Sequence, residues 1–242
     1  MDRYDLPPAY AREPRSWKLG VLMVVCFAVL AAILLRAGTA GVRNEAAPGV
    51  RDRGGAYAFT YTTAGGKTPI GYDPCRPIEV EINPDGAPEV HEQLVRTAME
   101  HVGEASGLRF ELVGTTDSRR FLTRGETGAR RPSIVGWSTE DEYAELAGDV
   151  AGIGGSGMLQ IGDRGRLTSG AVVLDIDAFD EMLDRGQREA AQAIVDHEFG
   201  HLVGLDHVDD PGELMYRENV GQTTWGPGDR EGLERLGAIR CG

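Results

Sequence analysis

Residues 197–207 read HEFGHLVGLDH, and the spacing gives each polar side chain a chemical reason for its position. His197 and His201 are four residues apart, so on a helix their imidazoles leave one face a turn apart and can share a metal ion. Gly204 can adopt the positive φ that ends a helix, after which the chain can turn sharply and return His207 as a third ligand. Three protein ligands leave one tetrahedral position open, which is the arrangement of catalytic rather than structural zinc. Glu198 follows the first ligand and faces the open side. Zinc lowers the pKa of a water to about 7, so a carboxylate there can take its proton as the water attacks a carbonyl and pass it on to the leaving amine. The chain holds only five histidines. Three of them in this register separate the pattern from a chance HExxH.

A second glycine-rich pattern competes for attention. Gly152, Gly154 and Gly157 satisfy GxGxxG, and Asp177 follows at about the distance a dinucleotide fingerprint asks of its acidic residue. The fingerprint also needs a helix directly after the glycines, and residues 158–161 are too short and too broken by Gly162 and Gly165 to supply one. Nucleotide is not expected as a ligand. The stretch reads better as the edge strand of a sheet, where missing side chains let a peptide backbone approach and add as an antiparallel strand. Val150, Ala151, Gly152, Ile153, Gly154 and Gly155 are therefore expected to contact substrate.

The elements that must position these groups follow from periodicity. Tyr57, Phe59 and Tyr61 alternate as a short strand, and residues 78–82 alternate as another. Residues 88–103 place Val90, Leu94, Ala98 and Val102 at helical spacing. Residues 108–113, 133–137 and 171–176 read as further strands, 189–203 as the helix carrying the histidines, and 229–236 as a last helix behind the Trp225-Gly226-Pro227 loop. The pattern is α+β, a mixed sheet with helices packed on it, with no internal repeat.

Charge and cysteines bound the function from outside. Lys plus Arg total 25 against 38 Asp plus Glu, giving −13, the wrong sign for a nucleic-acid partner. Lysine occurs only at 18 and 67, an arginine bias that fits GC-rich bacterial coding. Cys26 lies in an apolar run, whereas Cys75 and Cys241 flank the folded part, so a disulfide between those two is expected, in an oxidising compartment. The uncharged run 19–35 is long enough to cross a bilayer. The expected organisation is a cytoplasmic segment 1–18, a membrane anchor 19–35, a Gly/Ala/Arg-rich linker 36–55, and a catalytic domain 56–242 outside the cytoplasm. The alternative is a cleaved signal peptide, with small residues at 38–40, and a secreted domain.

HExxHxxGxxH with a methionine shortly after is the signature of the metzincins, and Met215 stands in ELMYREN, eight residues beyond His207. HEFGHLVGLDH followed by LMY most resembles the matrixins, and WGPGDREGLERLG resembles their C-terminal helix. The resemblance covers residues 187–237 firmly and the upstream region loosely. It implies a twisted, mostly parallel five-stranded sheet with an active-site helix, above a small C-terminal helical subdomain. It further implies one catalytic Zn²⁺ on His197, His201 and His207, a Met-turn at Met215 beneath them, and a pocket wall in the residues that follow. Metzincins with a tyrosine ligand carry it where this chain has Arg217, so Tyr216 is not assigned to the metal. The extra histidines of a second, structural zinc are missing, as is the inhibitory cysteine-switch motif. Asp175 and Asp177 stand where matrixins often hold Ca²⁺, but two carboxylates do not define a site. The expected activity is zinc-dependent endopeptidase hydrolysis of a peptide or protein substrate. The rival readings are a catalytically silent zinc-binding domain that recognises peptide or cell wall, and a zinc amidase acting on a non-peptide bond.

Overall fold

The computed structural model divides the chain into two units, residues 1–45 and 46–242, and describes residues 55–242 except 64, 65, 67, 123–130, 162, 163 and 219. The expected segments 1–18 and 19–35 lie outside the described residues, as does nearly all of the expected linker. The expectation of a single-pass membrane protein is corrected here: among the described residues, no helix is long and apolar enough to cross a membrane.

The domain is mixed α/β, built on one five-stranded sheet. Strand β1 (Ala58–Phe59) pairs antiparallel with the late strand β7 (Leu205–Asp206), forming a separate two-stranded ribbon. The main sheet comprises β2 (Ile78–Ile82), β3 (Phe110–Thr115), β4 (Ser133–Ser138), β5 (Gly152–Ile161) and β6 (Arg164–Asp175), in the order β3-β2-β4-β6-β5. The first three junctions in that order are parallel, and β5 alone runs antiparallel, against β6. Among the described residues, four α-helices accompany the sheet: α1 (His91–Ser106), α2 (Ile176–Asp184), α3 (Arg188–Val203) and α4 (Pro227–Gly237).

Burial explains why these segments take these forms. In β2 the apolar Ile78, Val80 and Ile82 are buried while Glu79 and Glu81 turn outward, the period of a half-covered strand. All six residues of the central β4 are buried, because both of its faces are covered. Helix α1 buries Leu94, Val95, Ala98, Met99 and Val102 at helical spacing and ends at Gly107 in the left-handed conformation. The main core gathers β2, β4, β6, α1, α3 and α4 around Trp137, Phe179, Phe199 and Leu202. A smaller cluster of Phe121, Ile134, Leu146 and Val173 lies on the opposite face of the sheet.

Three elements depart from the sequence expectation. The strand expected over 171–176 is the second half of a twelve-residue β6 whose polar first half, RGRLTSG, carries no strand-like apolar alternation. Helix α2 was not expected. It begins at Ile176 because Asp175 caps it, its side chain accepting the Ala178 N–H at 2.7 Å. Asp175 is thus committed to a helix start, and Asp177 lies in that helix's first turn. The last helix begins two residues earlier than expected, with Pro227 at its first position. Beyond it, Cys241 forms the expected disulfide with Cys75, tying the C-terminus to the segment that enters β2.

Candidate functional site

The three histidines converge. His207 Nε2 lies 3.1 Å from His197 Nε2 and 3.2 Å from His201 Nε2, and the ligand atoms of all three lie within 4.8 Å of one another. Each helical histidine is fixed from behind. His197 Nδ1 is 2.7 Å from the Leu214 carbonyl and His201 Nδ1 is 3.0 Å from the Leu205 carbonyl. A carbonyl only accepts, so both Nδ1 atoms carry the proton and both Nε2 lone pairs face His207. With His207 as the same tautomer, three Nε2 lone pairs would converge without a proton between them, an arrangement that fits a cation. Tetrahedral zinc at about 2.0–2.1 Å from each nitrogen sets the nitrogens about 3.3 Å apart, close to the two separations found. Burial first, and then the neighbouring histidines, push His197 down to about 3, while burial and His207 push His201 down to about 4. Both are therefore neutral, ligand-competent imidazoles across the ordinary pH range.

The local chain explains the convergence. Helix α3 ends at Gly204, φ 117°, whose N–H donates to the Gly200 and His201 carbonyls. The two residues of β7 then pair with β1 and deliver His207, whose N–H donates to Asp206 Oδ1 at 2.8 Å. Met215 is 1% exposed and lies beneath α3. A Cβ on Gly200, three residues after His197 and next to His201, would come within 2.6 Å of Met215 Sδ and 3.1 Å of the Trp225 ring. Glycine at 200 lets the methionine approach the helix between its two ligands.

The loop carrying Met215 is locked to the start of α4 by two buried carboxylates. Asp229 accepts the N–H groups of Leu214 at 2.5 Å and Gly226 at 3.0 Å, with Met215 at 3.4 Å. Glu213 accepts those of Gly228 and Asp229, each at 2.9 Å. Burial is the largest influence on Asp229 and raises its carboxyl to about 7. The chain of contacts runs from α4 through Asp229 to Leu214, and through the Leu214 carbonyl to His197. On the other side, Asp196 is buried beside His197 and bonds His101 of α1 at 2.7 Å and Gln192 at 2.9 Å, which fixes α3 against α1.

Glu198 is 6% exposed, and burial raises its carboxyl to about 8, tempered by the Gly154 amide. It borders a cleft of about 310 Å³ together with His197, His207, Leu214 and Tyr216. The segment 149–152 that leads into β5 forms one wall. Of the six residues expected to contact substrate, Val150, Ala151 and Gly152 line this cleft. Ile153, Gly154 and Gly155 instead line a hollow of about 570 Å³ with Phe121, Tyr143 and Ile134. Strand alternation turns residues 152 and 154 to α3 and 153 and 155 to the second cluster, and Gly154, having no side chain, also borders the hollow.

Among the described residues, the outer side of β5 has no partner strand in the sheet order. Asp175 N–H donates to the Ala151 carbonyl at 3.0 Å, and the register continues as Gly152 with Leu174 and Ile153 with Val173. Alternation along an antiparallel ladder then spends the backbone groups of 151, 153 and 155 on β6 and leaves those of Gly152 and Gly154 facing the free edge. The GxGxxG glycines thus lie in a strand followed by a second strand, β6, and not by the helix a dinucleotide fingerprint requires.

Leu214, Gly200 and Asp229 are functional residues that the motif did not reveal. Only Asp229 had a local signal, an acidic residue three positions after the glycine that begins a Gly-Pro helix start. No protein-family model matches the chain, and no curated protein matches it.

Proposed function

We propose that this chain is a zinc-dependent endopeptidase of the matrixin-like metzincin type, and that its single zinc is held by His197, His201 and His207. The observation that carries this reading is the convergence of three imidazole lone pairs beside a buried glutamate, at a cleft bordered by a free strand edge. A zinc ion bound there supplies Lewis acidity and brings the pKa of a water near 7. The residues of the chain do the rest. An extended peptide pairs with the outward backbone groups of Gly152 and the C=O of Gly154, whose N–H is held by Glu198, and this holds its scissile carbonyl over the histidines. Glu198 takes the proton of the water that attacks this carbonyl and delivers it to the amide nitrogen, so that the C–N bond breaks and an amine leaves. Tyr216, Arg217 and Val220 stand along the cleft beyond Met215 and meet the side chain that follows the bond.

Zinc binding alone would not require a carboxylate at 198, and burial of that carboxylate beside the ligands supports hydrolysis over silent recognition. The test is cleavage of a quenched-fluorescent peptide library by the purified protein with its zinc content measured. Library cleavage with one zinc per chain is expected; zinc without cleavage would turn the reading toward a recognition module or an amidase.

A further inference from the structure

Strand β5 carries Gly152, Gly154 and Gly155 close together, and none of them has a φ in the left-handed region. Backbone conformation therefore does not require glycine here, and space must. The three positions differ sharply in what a side chain would meet. At 155 a Cβ meets nothing within 4 Å. At 154 it would lie 2.2 Å from the Glu198 carbonyl oxygen and 2.8 Å from its carbonyl carbon, both backbone atoms of α3. At 152 it would lie 2.9 Å from Glu198 Cγ, 3.2 Å from Glu198 Oε1 and 3.1 Å from Leu174 Cδ2, all of them side-chain atoms.

We propose that Gly152 is a positioning residue for the Glu198 carboxylate, with its bare Cα forming the wall against which that side chain rests. The proposal rests on the peptidase reading for its kinetic consequence but not for its geometry. Gly154 sets how closely the strand approaches the helix. Gly152 sets where the carboxylate stands once it has approached. A methyl group at 152 leaves the helix backbone in place and pushes Glu198 Cγ from 2.9 Å toward ordinary carbon contact at about 3.5–4.0 Å. The carboxylate shifts with it by roughly 0.5–1 Å, a displacement of the size that costs up to about 100-fold in turnover. The atoms nearest a Cβ at 152 belong to Glu198 and Leu174 and none to a histidine, so the three imidazoles are expected to keep their metal.

The experiment is a double-mutant cycle in the full-length zinc-loaded protein: parent, Gly152→Ala, Glu198→Ala and the double variant, each with zinc content, thermal midpoint, kcat and KM. Gly152→Ala is expected to hold one zinc, melt within a few degrees of the parent, and lose about 10- to 100-fold in kcat with KM changed less than about threefold. In the Glu198→Ala background, where the crowded atoms are gone, the same substitution is expected to cost less than about threefold of the residual rate. Equal losses in both backgrounds, or a loss carried by KM, would place the effect of the added methyl in peptide binding and not on Glu198, and would overturn the proposal. Loss of zinc or of the fold in Gly152→Ala would make it a packing glycine and overturn it equally. A crystal structure of Gly152→Ala separates this inference from the peptidase reading, because it needs no turnover. A carboxylate displaced on an unmoved helix supports the wall even if no peptide is cleaved, and an unmoved carboxylate refutes it even if peptides are.

Discussion

Breaking the bond between Cys75 and Cys241 gives the most quantitative test of how the domain holds together. The two residues are 166 positions apart, so the cross-link closes nearly the whole described domain and restricts the unfolded chain strongly. The chain-entropy relation gives about 5 kcal/mol at 25 °C for a loop of this size, a ceiling that native-state relaxation reduces. For a domain of this length each kcal/mol moves the melting temperature by about 2–4 °C, so a drop of about 10–20 °C follows from Cys75→Ser with Cys241→Ser. The assay is urea and thermal denaturation of parent and double variant, each with and without a dithiol reductant. The parent should fall to the variant's midpoint when reduced, and the variant should not respond. Reductant that converts both cysteines to thiols without moving the parent's midpoint would refute the reasoning. So would a double variant as stable as the parent.

The site yields further predictions. His207→Ala removes one of three ligands and should lower zinc content from one per chain toward zero after dialysis, as read by atomic emission, while the melting curve of the metal-free protein stays within about 1 kcal/mol because His207 is exposed. Asp229→Ala leaves the buried Leu214 and Gly226 N–H groups without acceptors and should cost about 3–5 kcal/mol in urea denaturation, with weaker zinc retention through Leu214 and His197. Asp229→Asn keeps an acceptor oxygen and should cost clearly less. In the chelator-treated protein, His197 and His201 protonate only near 3 and 4 when folded but near 6.5 when unfolded. The unfolded chain thus binds more protons below about pH 6.5, and stability is lost as pH falls from there toward about 4, by at most about 1.4 kcal/mol per pH unit for each histidine. Glu198 and Asp229, raised to about 8 and about 7 in the fold, slope the other way over the same range, so the histidine contribution should be read in urea titrations at pH 7, 6 and 5 as the difference between the parent and a double variant carrying His197→Ala and His201→Ala.

Much of the site was legible because the motif lies in one continuous segment. The interval His197 to His201 fixes a helical face, and Gly204 fixes the turn that returns His207. Both are local consequences of backbone geometry. The disulfide was legible because Cys75 and Cys241 bracket the domain while Cys26 lies outside it. What stayed hidden depends on chain reversals that no local pattern encodes. The carbonyl that orients His197 belongs to Leu214, and any residue could supply a carbonyl. Asp229 reaches the Met215 loop only after fifteen residues have folded back. The glycines at 152 and 154 suggested a close approach, and the sequence reading took the approaching chain to be substrate. The structure shows that their nearest neighbour is Glu198 of the protein itself, while the outward backbone groups of Gly152 and the C=O of Gly154 still face the edge. Strand β6 was half hidden because Arg164, Arg166, Thr168 and Ser169 leave only Leu167 as an apolar marker, although Gly165 and Leu167 are both buried in the fold. Helix α2 was missed because Asp175 ends a strand and caps a helix in one residue.

The most direct test of the central claim is peptide-library cleavage by the parent and by Glu198→Ala, with zinc measured in both preparations. The account predicts one zinc in each, cleavage by the parent, and a fall of about 100- to 10,000-fold in the variant, the range expected when a general base is removed. Cleavage undiminished in Glu198→Ala, or a parent that fails to retain zinc, would contradict it.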